Sequence, residues 1–347
     1  MAKVSMQQIA DELGVSKSLV SLALTNSYGV KEDTRFKIYL TALKMGYDFK
    51  KVNNQNEHKI KDKYSILVFI KQNDLVTERF WPEILSGIEI ELSNANYRMK
   101  TKVWDDDSTS DELLVDIATS NADGVIIISE FPKESFFALK AMNIPVVVVD
   151  SKEYVDGMFD VVRSNNFLGG YLAAEYLINN NHKNVCFVGD IELAVSFKER
   201  FNGFSNYLSN AKDIKINNVI TSGRKFSDVE YLYNRKDFIN LLKSNNMPTA
   251  VFCQNDPTAE FVYEDIKSLG INIPNDISVI GYDNILLTNA FVPALTSVNV
   301  CKREIGKEAV CLLISRIKNP KKLNQSVQIS VNIDEKKSVK KKWVIKF

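Results

Sequence analysis

The groups of this chain best placed to do chemistry are donors near its amino terminus. The chemistry they suit is recognition of base edges and phosphates. Lys17 and Ser18 open a stretch of helical apolar period, KSLVSLAL, directly after Ser16. A lysine ammonium can donate to guanine O6 or N7, and a serine hydroxyl can serve either type of base. Groups for catalysis are scarce. The chain has no P-loop, no GxGxxG and no HExxH string, and Gly169-Gly170 alone is too little to cradle a phosphate. His58 and His182 have no evident acid-base partner. Four cysteines without CxxC spacing and two histidines make no zinc set, so no metal, cofactor or enzymatic activity is expected.

The elements that must position these donors are legible. Ser5 with Gln8 three residues on is a capping-box pattern. Met6, Ile9, Ala10 and Leu13 recur at helical spacing, and Gly14 supplies the positive φ of a tight turn. Ser16 caps a second helix whose apolar face is Leu19, Val20, Ala23 and Leu24. A third helix from about Glu32 packs Ile38, Ala42 and Leu43 and stops at Gly46. Two short helices joined by a glycine turn are the geometry that lays the second in a major groove. The same pattern would also serve an ordinary three-helix bundle.

At 347 residues the chain suggests two or three domains, and its 45% hydrophobic content suffices for packed cores. No apolar run spans a bilayer, and MAKVSMQQIADELG lacks the apolar stretch of a signal peptide, so a cytoplasmic protein is expected. The cysteines fit that compartment as reduced thiols. Residues 1–63 carry 11 Lys and Arg against 7 Asp and Glu, a net +4, and the remainder carries −3. A basic module on a mildly acidic body suits phosphate contact at one end.

After Tyr47 comes a polar linker, DFKKVNNQNEHKIKDK, and from Tyr64 the texture changes. Apolar runs at 64–70, 97–104, 124–129, 145–150, 184–190, 249–254 and 277–282 alternate with amphipathic stretches. The stretches include Trp81–Asn94, Phe167–Ile178, Phe201–Ser209, Phe238–Asn245 and Thr258–Leu269. This rhythm predicts parallel, doubly wound sheets in an α/β fold, and the number of units predicts two lobes. Ligands of open α/β sheets sit outside the carboxyl ends of strands.

The chain resembles the LacI/GalR (lactose repressor) family of bacterial transcriptional regulators. The head carries IADELGVSKSLVS, VKEDTRFKI and KMGY. The body carries WPEILSGIE, ADGVIIIS, IPVVVVD, AAEYLI, RFNGF, PTAVFCQND, GINIPNDISVIGYDN and PALTSV, and KKSV at 336–339 resembles the closing Arg-Ser-Ser/Thr signature. The resemblance covers some 340 residues. It implies a helix-turn-helix head over 1–49, a hinge over 50–63 and a two-lobed, periplasmic-binding-protein-like core over 64–347. Lobe one is expected at about 64–161 and 292–320, and lobe two at about 162–291 and 321–347. It further implies a homodimer on a palindromic operator, controlled allosterically by a small molecule, a sugar or derivative.

The resemblance places Lys17, Ser18 and Leu22 at base edges. Leu22 departs from the family's usual arginine and offers only apolar contact, for example to a thymine methyl, unless it is a packing residue. Ser16, Ser21, Thr34 and Arg35 are expected at phosphates, and Ser5 and Tyr47 complete the expected DNA-contacting set. The hinge departs further. Proline is absent after Gly46-Tyr47, and Asn56 stands where the family has a minor-groove leucine, with Val52 the only apolar substitute. Less operator bending is therefore expected.

For the effector, the resemblance implies Arg200 and Asp256, with Asn255 and Asp150 beside them. Phe226, Phe80 and Trp81 are candidate ring-stacking walls. An ion pair within a lobe is the competing role for Arg200 and Asp256, and ordinary packing for the aromatics. Asp283 is expected to be structural. Some relatives use a phosphocarrier protein as corepressor, recognised partly through an arginine before Pro-x-Leu-Thr. Val292 stands there, favouring a small molecule. A solute-binding protein without operator function is the other alternative.

Overall fold

The computed structural model describes residues 4–25, 27–47, 49, 64–77, 80–211, 214–221 and 233–341. The expected hinge, residues 50–63, lies outside them. So does Phe226.

Three helices make the head: α1 (Met6–Leu13), α2 (Lys17–Leu24) and α3 (Glu32–Lys44). Each starts where the local chemistry predicts. Gln8 N–H donates to Ser5 Oγ at 3.4 Å while Ser5 N–H donates to Gln8 Oε1 at 2.9 Å, closing the capping box. Gly14 sits at φ +63° and ends α1. Leu19 N–H donates to Ser16 Oγ at 3.2 Å at the start of α2. Ile9, Ala10, Val20, Ala23, Leu24, Ile38, Tyr39 and Ala42 form the buried centre.

The remainder follows as β1 (Tyr64–Lys71), α4 (Gln72–Thr77), α5 (Trp81–Asn94), β2 (Tyr97–Trp104), α6 (Ser110–Thr119), β3 (Gly124–Ile128), α7 (Ser135–Ala141), β4 (Val146–Val149) and β5 (Asp160–Ser164). Then come α8 (Asn166–Asn179), β6 (Asn184–Asp190), α9 (Val195–Ser209), β7 (Lys215–Thr221), α10 (Arg235–Leu242), β8 (Ala250–Cys253), α11 (Asp256–Ser268) and β9 (Ser278–Asp283). A 3-10 turn (Leu286–Asn289), β10 (Thr296–Val300), α12 (Lys302–Lys318), β11 (Ser326–Ile329) and β12 (Val331–Asp334) complete the order.

The chain divides into two units. Unit one holds Met1–Val149, Val155–Val162 and Gly306–Ser326; unit two holds Asp150–Tyr154, Arg163–Ile305 and Val327–Phe347. One six-stranded sheet runs β11-β5-β4-β3-β1-β2 and the other β12-β10-β9-β8-β6-β7. The pairings from β2 through β5 and from β7 through β10 are parallel, and β12 joins β10 antiparallel. Strand order reverses between β1 and β3 in one sheet and between β6 and β8 in the other, so each has a switch point. Runs such as VVVV in β4 and AVFC in β8 are buried throughout, as strands covered on both faces must be.

The unit boundaries differ from the sequence expectation near the carboxyl end. Residues 292–305 fall in unit two, because β10 pairs with β9. Residues 321–326 fall in unit one, because Arg316 gathers that loop. Its Nε and Nη2 donate to the two oxygens of buried Asp160 at 2.8 and 2.9 Å, and its remaining donors reach Pro320 O, Lys322 O and Leu323 O.

The head is grouped with unit one. Val115 and Ala118 of α6 join the head's buried cluster, and Met142 packs against it. Lys44 Nζ reaches Asp111 Oδ2 at 3.3 Å, an exposed pair that contributes little. Among the described residues no helix is long and apolar enough to cross a membrane. No group of three or more His, Cys, Asp or Glu could hold a metal ion among them either.

Candidate nucleic-acid interface and effector-binding residues

On α2 the buried side is Val20, Ala23 and Leu24, which leaves Lys17, Ser18 and Leu22 exposed and Ser21 half-exposed. Positions 17, 18, 21 and 22 form one stripe on a helix of 3.6 residues per turn. Leu22 is therefore not a packing residue: it is 42% exposed on the same face as the donors.

Two other head residues sit differently from expectation. Arg35, expected at phosphates, turns to the end of α2. Its Nη1 donates to Ala23 O at 2.8 Å and its Nη2 to Ser27 O at 2.7 Å. The last carbonyls of a helix lack internal partners, and a guanidinium fork fits them. Tyr47, expected to touch DNA, is buried and meets the Phe49 ring edge-on at 5.4 Å. Its apolar ring closes the head core beneath α3. Thr34 is half-exposed in the first turn of α3, and Ser5 and Ser16 are exposed caps.

In unit two, polar groups gather at the carboxyl ends of parallel strands: Asp190 at the end of β6, Gln254 and Asn255 after β8, and Asp283 at the end of β9. Asp283 takes φ +104° and Asn284 +50°, conformations that side chains rarely adopt. Asp150 takes φ +47°. Backbone strain of this kind is typical of functional loops.

Arg200 is the hub. It rises from α9, is 3% exposed, and lies flat on the Tyr282 ring at 3.6 Å from the centroid. Its Nε donates to Asn166 Oδ1 at 3.0 Å, Nη1 to Gln254 O at 2.7 Å, and Nη2 pairs with Asp283 Oδ1 at 3.2 Å. Glu199 beside it accepts from Asn166 Nδ2 at 3.3 Å and pairs with Arg163 Nη1 at 3.5 Å. Burial raises the Asp150 carboxyl above the ordinary carboxylate range, and Arg200 and Arg163 pull it back. Burial likewise raises Asp283, against the pull of Arg200. Arg200 is held in place by its own unit, with Nε, Nη1 and Nη2 each committed to a partner there.

Asn255 and Asp256 are more committed than the sequence suggests. Asn255 Oδ1 caps α11, accepting from Thr258 N–H at 3.0 Å. Asp256 has no exposed surface and accepts from Ser297 Oγ at 2.7 Å and Ile285 N–H at 3.0 Å. It fixes the turn after β9, and burial raises its carboxyl too. Phe80 and Trp81, in unit one, are nearly buried and meet edge-on at 4.9 Å, so packing is their visible role.

Sequence reasoning missed Asn166, Arg163, Glu199, Tyr282 and Lys302. Arg163 carried a signal, since a charge within the otherwise apolar DVVRS needs a partner inside. Lys302 Nζ is buried and donates to Asp283 O at 2.6 Å, Asn284 O at 3.2 Å and Val300 O at 3.3 Å, clamping the strained turn. Ser338, within KKSV, ties β9 to β10: its Oγ donates to Val279 O at 2.6 Å and accepts from Thr296 N–H at 2.8 Å.

A helix-turn-helix head carried with two parallel-sheet units, one bearing a buried arginine hub at its strand ends, defines the class of ligand-responsive DNA-binding regulators. A family model described as periplasmic binding protein-like domain matches residues 174–339. The HTH-type transcriptional repressor PurR of Mannheimia succiniciproducens is 28% identical over 341 residues, covering 97% of this chain and 99% of that protein. A LacI family transcriptional regulator from Enterococcus faecalis V583, solved with bound ribose, superimposes with TM-score 0.65 at 25% identity over 80% of this chain and all of that one. The lac repressor dimer, solved with operator and the anti-inducer ONPF, gives TM-score 0.66 at 20% identity over 97% of this chain and 99% of that one. The chain is thus similar to a transcriptional repressor over nearly its whole length and to a LacI family transcriptional regulator over 80% of it.

Proposed function

We propose that this chain is a homodimeric, cytoplasmic transcriptional repressor that reads a palindromic operator with α2 and is controlled by a small polar effector, a sugar or sugar derivative, at the Arg200 hub. The observation that carries the reading is the exposed stripe Lys17, Ser18, Ser21 and Leu22 on a helix capped at both ends, by Ser16 and by Arg35. Phosphate contacts fix register and base-edge contacts specify sequence, and a rigid stripe of mixed donors and one apolar group can do the second. On the effector side, carboxylates and amides around a fixed guanidinium suit a ligand rich in hydroxyls. The LacI family regulator solved with bound ribose supports a sugar.

Selection of duplexes from a random pool by the purified full chain tests the first part. Enrichment of two inverted half-sites supports it, and a pool that stays random overturns it. Titrating ribose and cellobiose against the selected duplex then tests the second part. An affinity that neither sugar shifts would overturn the sugar reading.

A further inference from the structure

We propose that the loop Lys318–Lys322 of unit one is a second DNA-contacting surface, one that takes phosphates flanking the site read by the head. The proposal rests on the reading of this chain as a DNA-binding regulator. The loop is exposed and carries Lys318, Lys321 and Lys322 within five residues. No acidic residue occurs from Ala309 through Ile333, and the nearby Asp160 is buried against Arg316, so the exposed charges of the loop itself are all positive. None of the three lysines has a carboxylate partner among the described residues. Lys322 Nζ donates only to Ser315 Oγ, at 3.1 Å.

The loop is also built rather than loose. Arg316 beneath it is 9% exposed and commits its guanidinium to Asp160, Pro320 O, Leu323 O and Asn324 Oδ1. Asn324 Nδ2 donates to Gly157 O at 2.7 Å, and Asn319 N–H to Ser315 O at 3.0 Å. A buried, paired arginine thus fixes a loop that presents only ammonium groups. Holding those groups in place lowers the entropy lost when they meet a ligand.

Its position points to DNA. Pro320 and Asn324 line one cavity of about 440 Å³ together with Lys140, Asn143 and the Asp160–Arg316 pair. Lys140 is exposed and adds a fourth ammonium. Met142, between Lys140 and Asn143, packs against the head's buried cluster. The loop and the head thus both lie near the short segment Lys140–Asn143 of unit one, and in the proposed complex duplex runs from the head across the lysines of the loop.

The test is the salt dependence of binding by the full chain to mixed-sequence duplexes of 16 and 40 base pairs. Each phosphate contact on B-DNA contributes about 0.9 to the slope of log K against log salt. The triple variant Lys318→Gln, Lys321→Gln, Lys322→Gln is compared with wild type and with the triple arginine variant. We expect the glutamine variant to lose about 1–3 units of slope on the 40-base-pair duplex and little on the shorter one. The arginine variant should keep the slope. An unchanged slope on the longer duplex, with wild type binding normally, overturns the proposal. Equal losses on both duplexes overturn it too, because the lysines would then lie within the head's own footprint. Failure of wild type to bind either duplex would sink the DNA-binding reading itself. Unchanged thermal unfolding separates these outcomes from misfolding.

Discussion

Gly203→Ala is expected to disrupt the Arg200 hub, the effector site proposed above, by separating two helices. A Cβ built at Gly203 on α9 falls 1.9 Å from Phe167 O and 2.9 Å from Tyr171 N, both backbone atoms of α8. The reciprocal position, Gly170, places a Cβ 1.9 Å from Arg200 O and 2.9 Å from Phe204 N. Ordinary contact begins at 3.4 Å, so the helices must part by about 1.5 Å. Neither side can yield by a rotamer change, because the obstacle is main chain on both. Overpacking costs about 1–3 kcal/mol, and a backbone collision belongs at the upper end. About 3 kcal/mol would lower the urea midpoint by about 1 M or more. The same movement carries Arg200, whose bond to Gln254 O at 2.7 Å does not survive a stretch of that size. Urea unfolding followed by circular dichroism gives the stability, and effector titration of operator binding gives the function. Gly170→Ala should behave alike, and the double variant should cost less than the sum, because the first methyl already opens the gap. A Gly203→Ala protein within 0.5 kcal/mol of wild type, with intact effector response, would refute the reasoning.

Three further outcomes follow from the same geometry. Burial lowers the His182 pKa from 6.5 to about 4. Its Nδ1 lies 3.1 Å from Thr249 Oγ1, which itself donates to Asn184 O, so Nδ1 carries the proton and buried Nε2 has no acceptor. The unfolded chain therefore binds more protons between about pH 4 and 6.5, and stability should fall by about 2 kcal/mol as pH drops from 7 to 5. That component should be missing from the pH series of His182→Asn. Arg35→Met removes the donors at the end of α2, which should cost the head about 1–3 kcal/mol in thermal unfolding and weaken binding to every duplex alike. Leu22→Arg should instead move the preferred half-site toward guanine at one position, read by duplex selection, while leaving the melting curve within about 0.5 kcal/mol.

Elements with one clean period were legible, and those whose charges are balanced from elsewhere were not. The runs at 64–70, 97–104, 124–129, 145–150, 184–190, 249–254 and 277–282 correspond to β1, β2, β3, β4, β6, β8 and β9. By contrast β5, DVVRS, reads as a loop because Asp160 and Arg163 interrupt it. In the fold Arg316 and Glu199 neutralise them, from residues 156 and 36 positions away. Helix α9 begins at Val195, six residues before its apolar stretch, because VSFKER has no apolar face until Arg200 is seen to be buried. The head was legible to its caps, since Ser5, Gly14 and Ser16 act on residues three or four away. The roles of Arg35 and Asp256 were not, because a sequence shows which donors and acceptors exist but not which carbonyl or hydroxyl lies opposite them.

The interleaving of the two units has a consequence for biosynthesis. The first sheet is incomplete until β11 pairs with β5, and Ser326 lies 164 positions beyond Val162 along the chain. At about 5–20 residues per second a ribosome needs about 10–30 s to make that segment. Throughout that interval β5 presents an open edge, with Asp160 deprived of the arginine that later neutralises it. The nascent chain thus exposes the edge of β5 that β11 later covers, and a chaperone that shields sheet edges would act in that window.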